Sequence, residues 1–277
     1  MYMFKFNQLI MRIFQLFIVV ILFAACNRHK AQTTPRGTDN ALNVLSYNIH
    51  HCNPPSADNL IDVDTIAGVI RKLNPDVVAL QEVDVNTKRS GNIHQARLLG
   101  EKTGMQSYFF KAIDHDGGEY GLAILTNLPV VNIKKYALPT LEGTKGEPRI
   151  LATVELKGTD GRNFIFACTH LDAQRDPRNR LLQIKEITNL LADTRLPVII
   201  AGDFNAATGT EVINLFDQKF TRTCSDCAFT IPVLKPNKTI DFIGYAPSER
   251  FEVLQHEVIN ETYASDHLPV RARLKMK

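Results

Sequence analysis

The chain has 277 residues, 44% of them hydrophobic and 22% charged, with a formal charge of +3, five cysteines and no tryptophan. That length holds one large domain or two small ones with a sizeable core. Near-balanced charge argues against a chain that grips a polyanion by broad electrostatics. The lack of long charged or low-complexity tracts excludes extended disorder, a short polar stretch near the start aside.

Residues 1–26 read as an export signal. Lys5 and Arg12 are its charges, and Ile13 to Ala25 is an apolar run too short for a comfortable membrane span. The run ends FAAC, which resembles a bacterial lipobox, with Phe23 where Leu is usual and Ala24-Ala25 before Cys26. The expectation is an exported lipoprotein, tethered to a membrane through acyl groups on Cys26, on the periplasmic or cell-surface side. Residues 27–40 are polar, hold Pro35 and Gly37, and read as a tether. Losing Lys5 and Arg12 with the signal takes the charge from +3 to about +1.

The remaining residues, 41–277, carry the domain. Ala41 to Asn48 alternates and predicts a strand, followed by a polar loop from His50 to Asp58. Ile66, Val69, Ile70 and Leu73 mark a helix over 62–73, which Asn74-Pro75 ends. Val77 to Leu80 predicts a short buried strand with Gln81-Glu82 at its end. A second helix follows over 94–103, then strands at 120–126, 130–137, 150–156 and 164–170. Leu181, Ile184, Ile187 and Leu191 mark a third helix, and Pro197 precedes the apolar run Val198 to Ala201. A short helix near 211–216 and strands at 239–245, 251–258 and 268–274 complete the pattern. The unit of helix, proline, apolar strand and acid occurs twice, with prolines at 75 and 197. Two similar halves of many strands and few helices predict an α/β (α+β) domain. Two mixed β-sheets would pack face to face with helices outside, in four layers.

The stretch LPVIIAGDFNA (196–206) carries the strongest chemical signal. Gly202 permits a turn, and Asp203 and Asn205 stand at the carboxyl end of a buried strand, where a carboxylate and an amide need partners. A metal, a phosphate or an attacking water would supply them; an Asx-turn would also satisfy both, and on this stretch alone both readings stand. Asn48, Glu82, His170, Asp241 and the Asp266-His267 pair sit at other predicted strand ends or beside them. Ligands in open sheets collect at such ends. Carboxylate and carboxamide oxygens suit a hard divalent ion, and two imidazoles with a carboxylate suit proton transfer. No HExxH or paired CxxC zinc motif is present.

LSYNIHH, PDVVALQEVD, EYGLAILTNLPV, CTHLD, IIAGDFNA, TIDFIGYA and SDHLPV, in this order, resemble the endonuclease/exonuclease/phosphatase superfamily. Its members include pancreatic-type deoxyribonucleases, abasic-site endonucleases, neutral sphingomyelinases and inositol polyphosphate 5-phosphatases. The resemblance spans about Leu42 to Leu274 and implies a four-layered α/β sandwich that hydrolyses phosphate esters with Mg²⁺ or Mn²⁺. It implies Glu82 as principal metal ligand, with Asn48 supporting metal and phosphate and Asp266 as a further metal-side acid. Asp203 would orient or deprotonate water, and Asn205, Arg149 and His170 would meet the phosphate. His170 and His267 would flank that phosphate, Asp241 would charge and orient His267, and Glu119 would partner His170. His50 stands where many relatives have an acid. Tyr136 reads as a core aromatic rather than a phosphate contact.

The expected activity is a phosphodiesterase on a small or lipid-linked ester. An extracytoplasmic DNA or RNA endonuclease is the alternative, and a non-catalytic binding module on the same fold comes last because no site residue is missing. A monomer is expected. Among the cysteines, Cys168 reads as a buried small hydrophobe and Cys52 as an ordinary thiol rather than a metal ligand. Cys224 and Cys227, a CxxC in an exported chain, are expected to form a disulfide, with a zinc knuckle the distant alternative.

Overall fold

The computed structural model describes residues 40–277. The predicted export signal, Cys26 and residues 27–39 of the predicted tether lie outside the described residues. No helix among the described residues is long and apolar enough to cross a membrane.

Twelve strands form two sheets of six, in the orders β11-β12-β1-β2-β4-β3 and β5-β6-β7-β8-β10-β9. In chain order the first four are β1 (Leu42–Asn48), β2 (Val77–Val85), β3 (Gln106–His115) and β4 (Gly118–Thr126). The next four are β5 (Val130–Ala137), β6 (Ile150–Lys157), β7 (Asn163–His170) and β8 (Val198–Asp203). The last four are β9 (Thr221–Arg222), β10 (Asp241–Ala246), β11 (Phe251–Val258) and β12 (Val270–Met276). Four helices, α1 (Val63–Leu73), α2 (Gln95–Thr103), α3 (Arg178–Leu190) and α4 (Glu211–Asp217), cover the outer faces. The result is the four-layered sandwich that the strand pattern predicts.

The duplicated unit in the sequence is a β–α–β crossover at the centre of each sheet. β1 and β2 are parallel and joined through α1; β7 and β8 are parallel and joined through α3. Every other strand pair is antiparallel. Both parallel pairs are buried on two faces, which explains the apolar runs of β2, β7 and β8; β1 keeps the polar Asn43 and Ser46. Val44, Val77, Ile124, Phe166, Ile199 and Val270 belong to the core between the sheets. Leu45, Val78 and Leu80 face α1 and α2 instead, and Ala167, Val198 and Ile200 face α3 and α4.

The boundaries of α1 follow from its sequence. Asp62 caps it by accepting from the Thr65 amide at 2.9 Å, and Asn74 ends it in the left-handed region at φ 46°. Pro75 then prevents continuation. Ile66 and Ile70 are fully buried from this helix, each contributing about 1.5–3 kcal/mol. Gly202 turns out to lie within β8 rather than at a turn. A Cβ there would collide with the Thr169 carbonyl across the β7–β8 pair, so glycine is needed for close approach of the strands.

Candidate active site

The carboxyl ends of both parallel pairs carry the polar residues. β1 ends at Asn48, β7 at His170 and β8 at Asp203. In the second sheet, His170 is in register with Asp203, and Asp203 with Asp241 at the start of β10. Three adjacent strands thus set these residues in one cross-strand row. The first sheet supplies Glu82 from an irregularity between Leu80 and Val83, where Glu82 takes φ 59°. A non-glycine residue in that region is strained, and the bulge re-aims its side chain.

Asn48 ties the two sheets together. Its Nδ2 donates to Glu82 Oε1 and to Asp203 Oδ2, each at 3.1 Å. Its backbone carbonyl accepts from Ser265 Oγ at 2.7 Å, which fixes the loop that carries Asp266 and His267. Asp203 Oδ2 lies 3.5 Å from His170 Nε2 and 3.8 Å from His267 Nε2. His267 Nδ1 bonds Asp241 Oδ2 at 3.0 Å.

The two histidines are held in opposite charge states. Burial, the Arg149 guanidinium and His267 all push His170 well below its ordinary range, so it is neutral. Burial also disfavours charge on His267, but the adjacent Asp241, with Asp203 and Asp266 beyond, brings it up to about 10. Asp203 is pushed up to about 7, first by burial and then by the Asp241 charge. Asp203 is therefore poised to titrate near neutrality, where a proton acceptor works best, rather than being firmly ionised beside its cations.

Arg149 Nη1 lies 3.1 Å from His170 Nδ1. A guanidinium can only donate, so Nδ1 accepts and the ring proton sits on Nε2. Asn205 Nδ2 is 3.0 Å from that same Nε2. Two donors therefore stand side by side without a shared acceptor, and a phosphate oxygen would be one. Arg149 is 7% exposed and its Nε has no partner among the described residues.

Glu119 does not reach His170. It is bonded to Lys111 Nζ at 3.2 Å with its side chain 40% exposed. Its neighbour Tyr120 is buried and lines the small cavity beside Arg149 and His170. Strand alternation sends the two side chains to opposite faces, so Arg149, not Glu119, partners His170. Tyr136 is half-buried against the α3–α4 core. Cys52 is buried, which pushes its thiol far up. Burial likewise pushes the Cys168 thiol up to about 12. Cys224 and Cys227 form a disulfide.

Thr230 is a site residue that the motifs do not mark. It is fully buried, and its Oγ1 donates to Asp241 Oδ2 at 2.6 Å. Its carbonyl accepts from the Leu268 amide at 2.8 Å, so one residue braces both partners of the Asp241–His267 pair. An isolated threonine between CxxC and TIDFIGYA carries no periodic or motif signal.

Two groups of side chains have donors for a divalent ion. Ligand atoms of Asp203, Asp241 and His267 lie within 4.8 Å of one another and could hold one. Those atoms, however, are already engaged: His267 Nδ1 bonds Asp241, and Asp203 accepts from Asn48 Nδ2 and the Asn205 amide. Glu82 Oε2 and Asp266 Oδ2 accept no hydrogen bond from the described residues, while Glu82 Oε1 and Asp266 Oδ1 each accept one. Carboxylate oxygens left unused in this way suit a hard ion.

Residues 45–267 match the model of the Endonuclease/Exonuclease/phosphatase family. The chain belongs to this family. Human Nocturnin is 29% identical over 157 residues, which are 51% of this chain and 35% of Nocturnin. The chain thus spans about a third of the length of the curated relatives it matches. An endonuclease/exonuclease/phosphatase structure from Beutenbergia cavernae superposes with a TM-score of 0.73 at 22% identity, covering 85% of this chain and 72% of that one. A mannosyl-6-phosphatase of Bacteroides thetaiotaomicron superposes with a TM-score of 0.69 at 21% identity, covering 85% of this chain and all of that one (100%). At these identities the structures establish the shared fold.

Proposed function

We propose that this family member is a phosphodiesterase that depends on Mg²⁺ or Mn²⁺ and acts on a small or lipid-linked ester, from an exported lipoprotein anchored through Cys26. The observation that carries the hydrolase reading is the placement of Asp203. Its Oδ2 lies between a neutral His170 at 3.5 Å and a cationic His267 at 3.8 Å, beside the donors of Arg149 and Asn205.

His170 Nε2–H, Asn205 Nδ2 and Arg149 hold phosphoryl oxygens and orient the phosphorus. His267, kept charged by Asp241, adds a positive group in a site closed to bulk water, where such a charge counts most. Asp203 takes the proton of a water aligned on the phosphorus. The new P–O bond forms as the bond to the leaving oxygen breaks, and that oxygen takes up a proton from solvent to leave as the alcohol. When bound by Glu82, Asp266 and Asn48, the metal supplies Lewis-acid neutralisation of phosphate charge. A mature charge of about +1 favours a compact ester over a long polyanion.

The test is a screen of aryl phosphodiesters, sugar phosphates, phospholipids, DNA and RNA with Mg²⁺, Mn²⁺ or chelator. Asp203→Asn keeps the side-chain shape and should lower turnover by about 10²–10⁴-fold while leaving binding largely intact. Glu82→Ala should raise the metal concentration needed for half-activity. Equal turnover in chelator, or near-wild-type turnover in Asp203→Asn, would overturn the mechanism.

A further inference from the structure

The phosphate site opens into a groove of about 460 Å³ that includes Asn205. Three segments wall it: Ala173 to Arg180, Asn205 to Val212, and part of the 231–240 hairpin. Buried Ala206, Val212 and Ile240 give it an apolar side. Its charged lining has one sign: Arg175, Arg180 and Lys238 contribute, and no Asp or Glu does.

These cations are not spent on internal ion pairs. Arg175 and Lys238 are exposed and lack a salt-bridge partner among the described residues. Arg178 one turn away, by contrast, is paired with Asp176 at 2.6 Å. Arg180 is 8% exposed; its Nη1 donates to the carbonyls of Asp172 and Gln174, and its Nε has no partner. The carboxylates of Asp172, Asp176 and Asp203 attract this guanidinium without bonding it, burial still disfavours its charge, and an anion in the groove would offset that cost.

We infer that this groove receives a second anionic group, a phosphate or a carboxylate, on the organic arm of the substrate. The body of that arm lies along Ala206, Val212 and Ile240, and its charged end meets Arg175, Arg180 and Lys238. This inference rests on the phosphate-ester reading above and narrows it: the preferred substrate carries two separated anionic groups. It also explains how a chain of near-neutral charge selects an anionic ester, through a local cluster beside the reacting centre rather than a basic surface.

The test uses matched p-nitrophenyl pentyl phosphodiesters whose arm ends in a hydroxyl, a carboxylate or a phosphate. The charged arms should be favoured in kcat/KM by about tenfold, the scale of two part-exposed charge contacts. The ratio of charged to hydroxyl arm should fall to near 1 in Arg175→Ala/Lys238→Ala, two exposed positions chosen to spare the fold. It should also shrink with added salt. Preference for either charged arm supports the groove and names its anion. A wild-type ratio near 1, or a ratio unchanged in the double variant, overturns it. If no probe is hydrolysed, the hydrolase reading has failed separately. Calorimetry with 1,5-pentanediol bisphosphate then decides the groove: binding weakened in the double variant supports it, and absent or equal binding overturns it.

Discussion

Replacing Asp241 by Asn preserves shape and removes one charge from a pair that solvent barely reaches. His267 is 4% exposed and Asp241 3%. Burial alone lowers the affinity of His267 for a proton, yet Asp241 lifts it from 6.5 to about 10. That gap corresponds to about 5 kcal/mol, close to the roughly 3–5 kcal/mol expected for breaking a buried ion pair. In Asp241→Asn, His267 loses the largest of the charges that raise it and should titrate well below about 10, with Asp203 and Asp266 still acting on it. Turnover at pH 7 should fall by about 10²–10⁴-fold. Asp203 should move the opposite way, downward from about 7, because the Asp241 charge helps to raise it. The stability signature has a definite sign. A histidine raised in the folded state stabilises fully below its unfolded value of about 6.5, and that contribution is lost as pH rises through about 10. Urea unfolding of the wild type should therefore show this decline between those limits, and Asp241→Asn should show less of it. Histidine ring NMR follows His267 directly, and kcat from pH 5 to 10 at saturating metal follows its consequence. The double change Asp241→Asn/His267→Ala should cost little more than His267→Ala alone, because the pair acts as a unit. An unshifted His267 titration, or full additivity in the double variant, would refute the coupling of this pair.

Two further outcomes follow from the same network and its neighbour. Thr230→Val removes a donor to a buried carboxylate and should destabilise by about 1.5–3 kcal/mol; it should also move the pH profile of kcat, whereas Thr230→Ser should restore that profile. A profile identical in Val and wild type would assign Thr230 to packing alone. Asp84 is fully buried and accepts from Arg89 Nε and Nη2, Thr87 Oγ1 and Ser90 Oγ at 2.6–2.8 Å. Burial opposes its charge, but these bonds hold it below the ordinary carboxylate range. Its stabilisation should be present above about pH 3.9 and fade as pH falls further. Asp84→Asn should cost about 3–5 kcal/mol at pH 7, with the gap to wild type narrowing near pH 3 in denaturant titrations; a gap independent of pH would sink this assignment.

Much of this architecture is legible in the sequence because both β–α–β units are buried on two sides. β2, β7 and β8 are written as apolar runs and β1 as an alternation, and Asn74-Pro75 and Pro197 punctuate them. The edges are less legible. β3 is not marked, because Lys111 and Asp114 interrupt an alternation that is only half-buried. β9 is two residues long and has no periodicity to read. The continuation of β2 to Val85 is hidden by the bulge at Glu82, which breaks the period of two. At the site, residues fixed by strand ends come together as their positions suggest. Glu119 and Arg149 exchange places at His170 because the face that a residue takes depends on register. Thr230 acts through a hairpin whose path no local pattern specifies.

The place of β12 bears on when the molecule becomes active. This strand lies between β11 and β1, so the first sheet cannot close until the stretch following His267 has joined Leu42–Asn48. On a ribosome, β1 waits for a neighbour made more than two hundred residues later, which Leu42 pairing with Leu274 makes explicit. His267 arrives with that neighbour. A nascent or stalled chain can therefore hold folded pieces of both sheets and still lack its cationic imidazole until β12 has paired with β1.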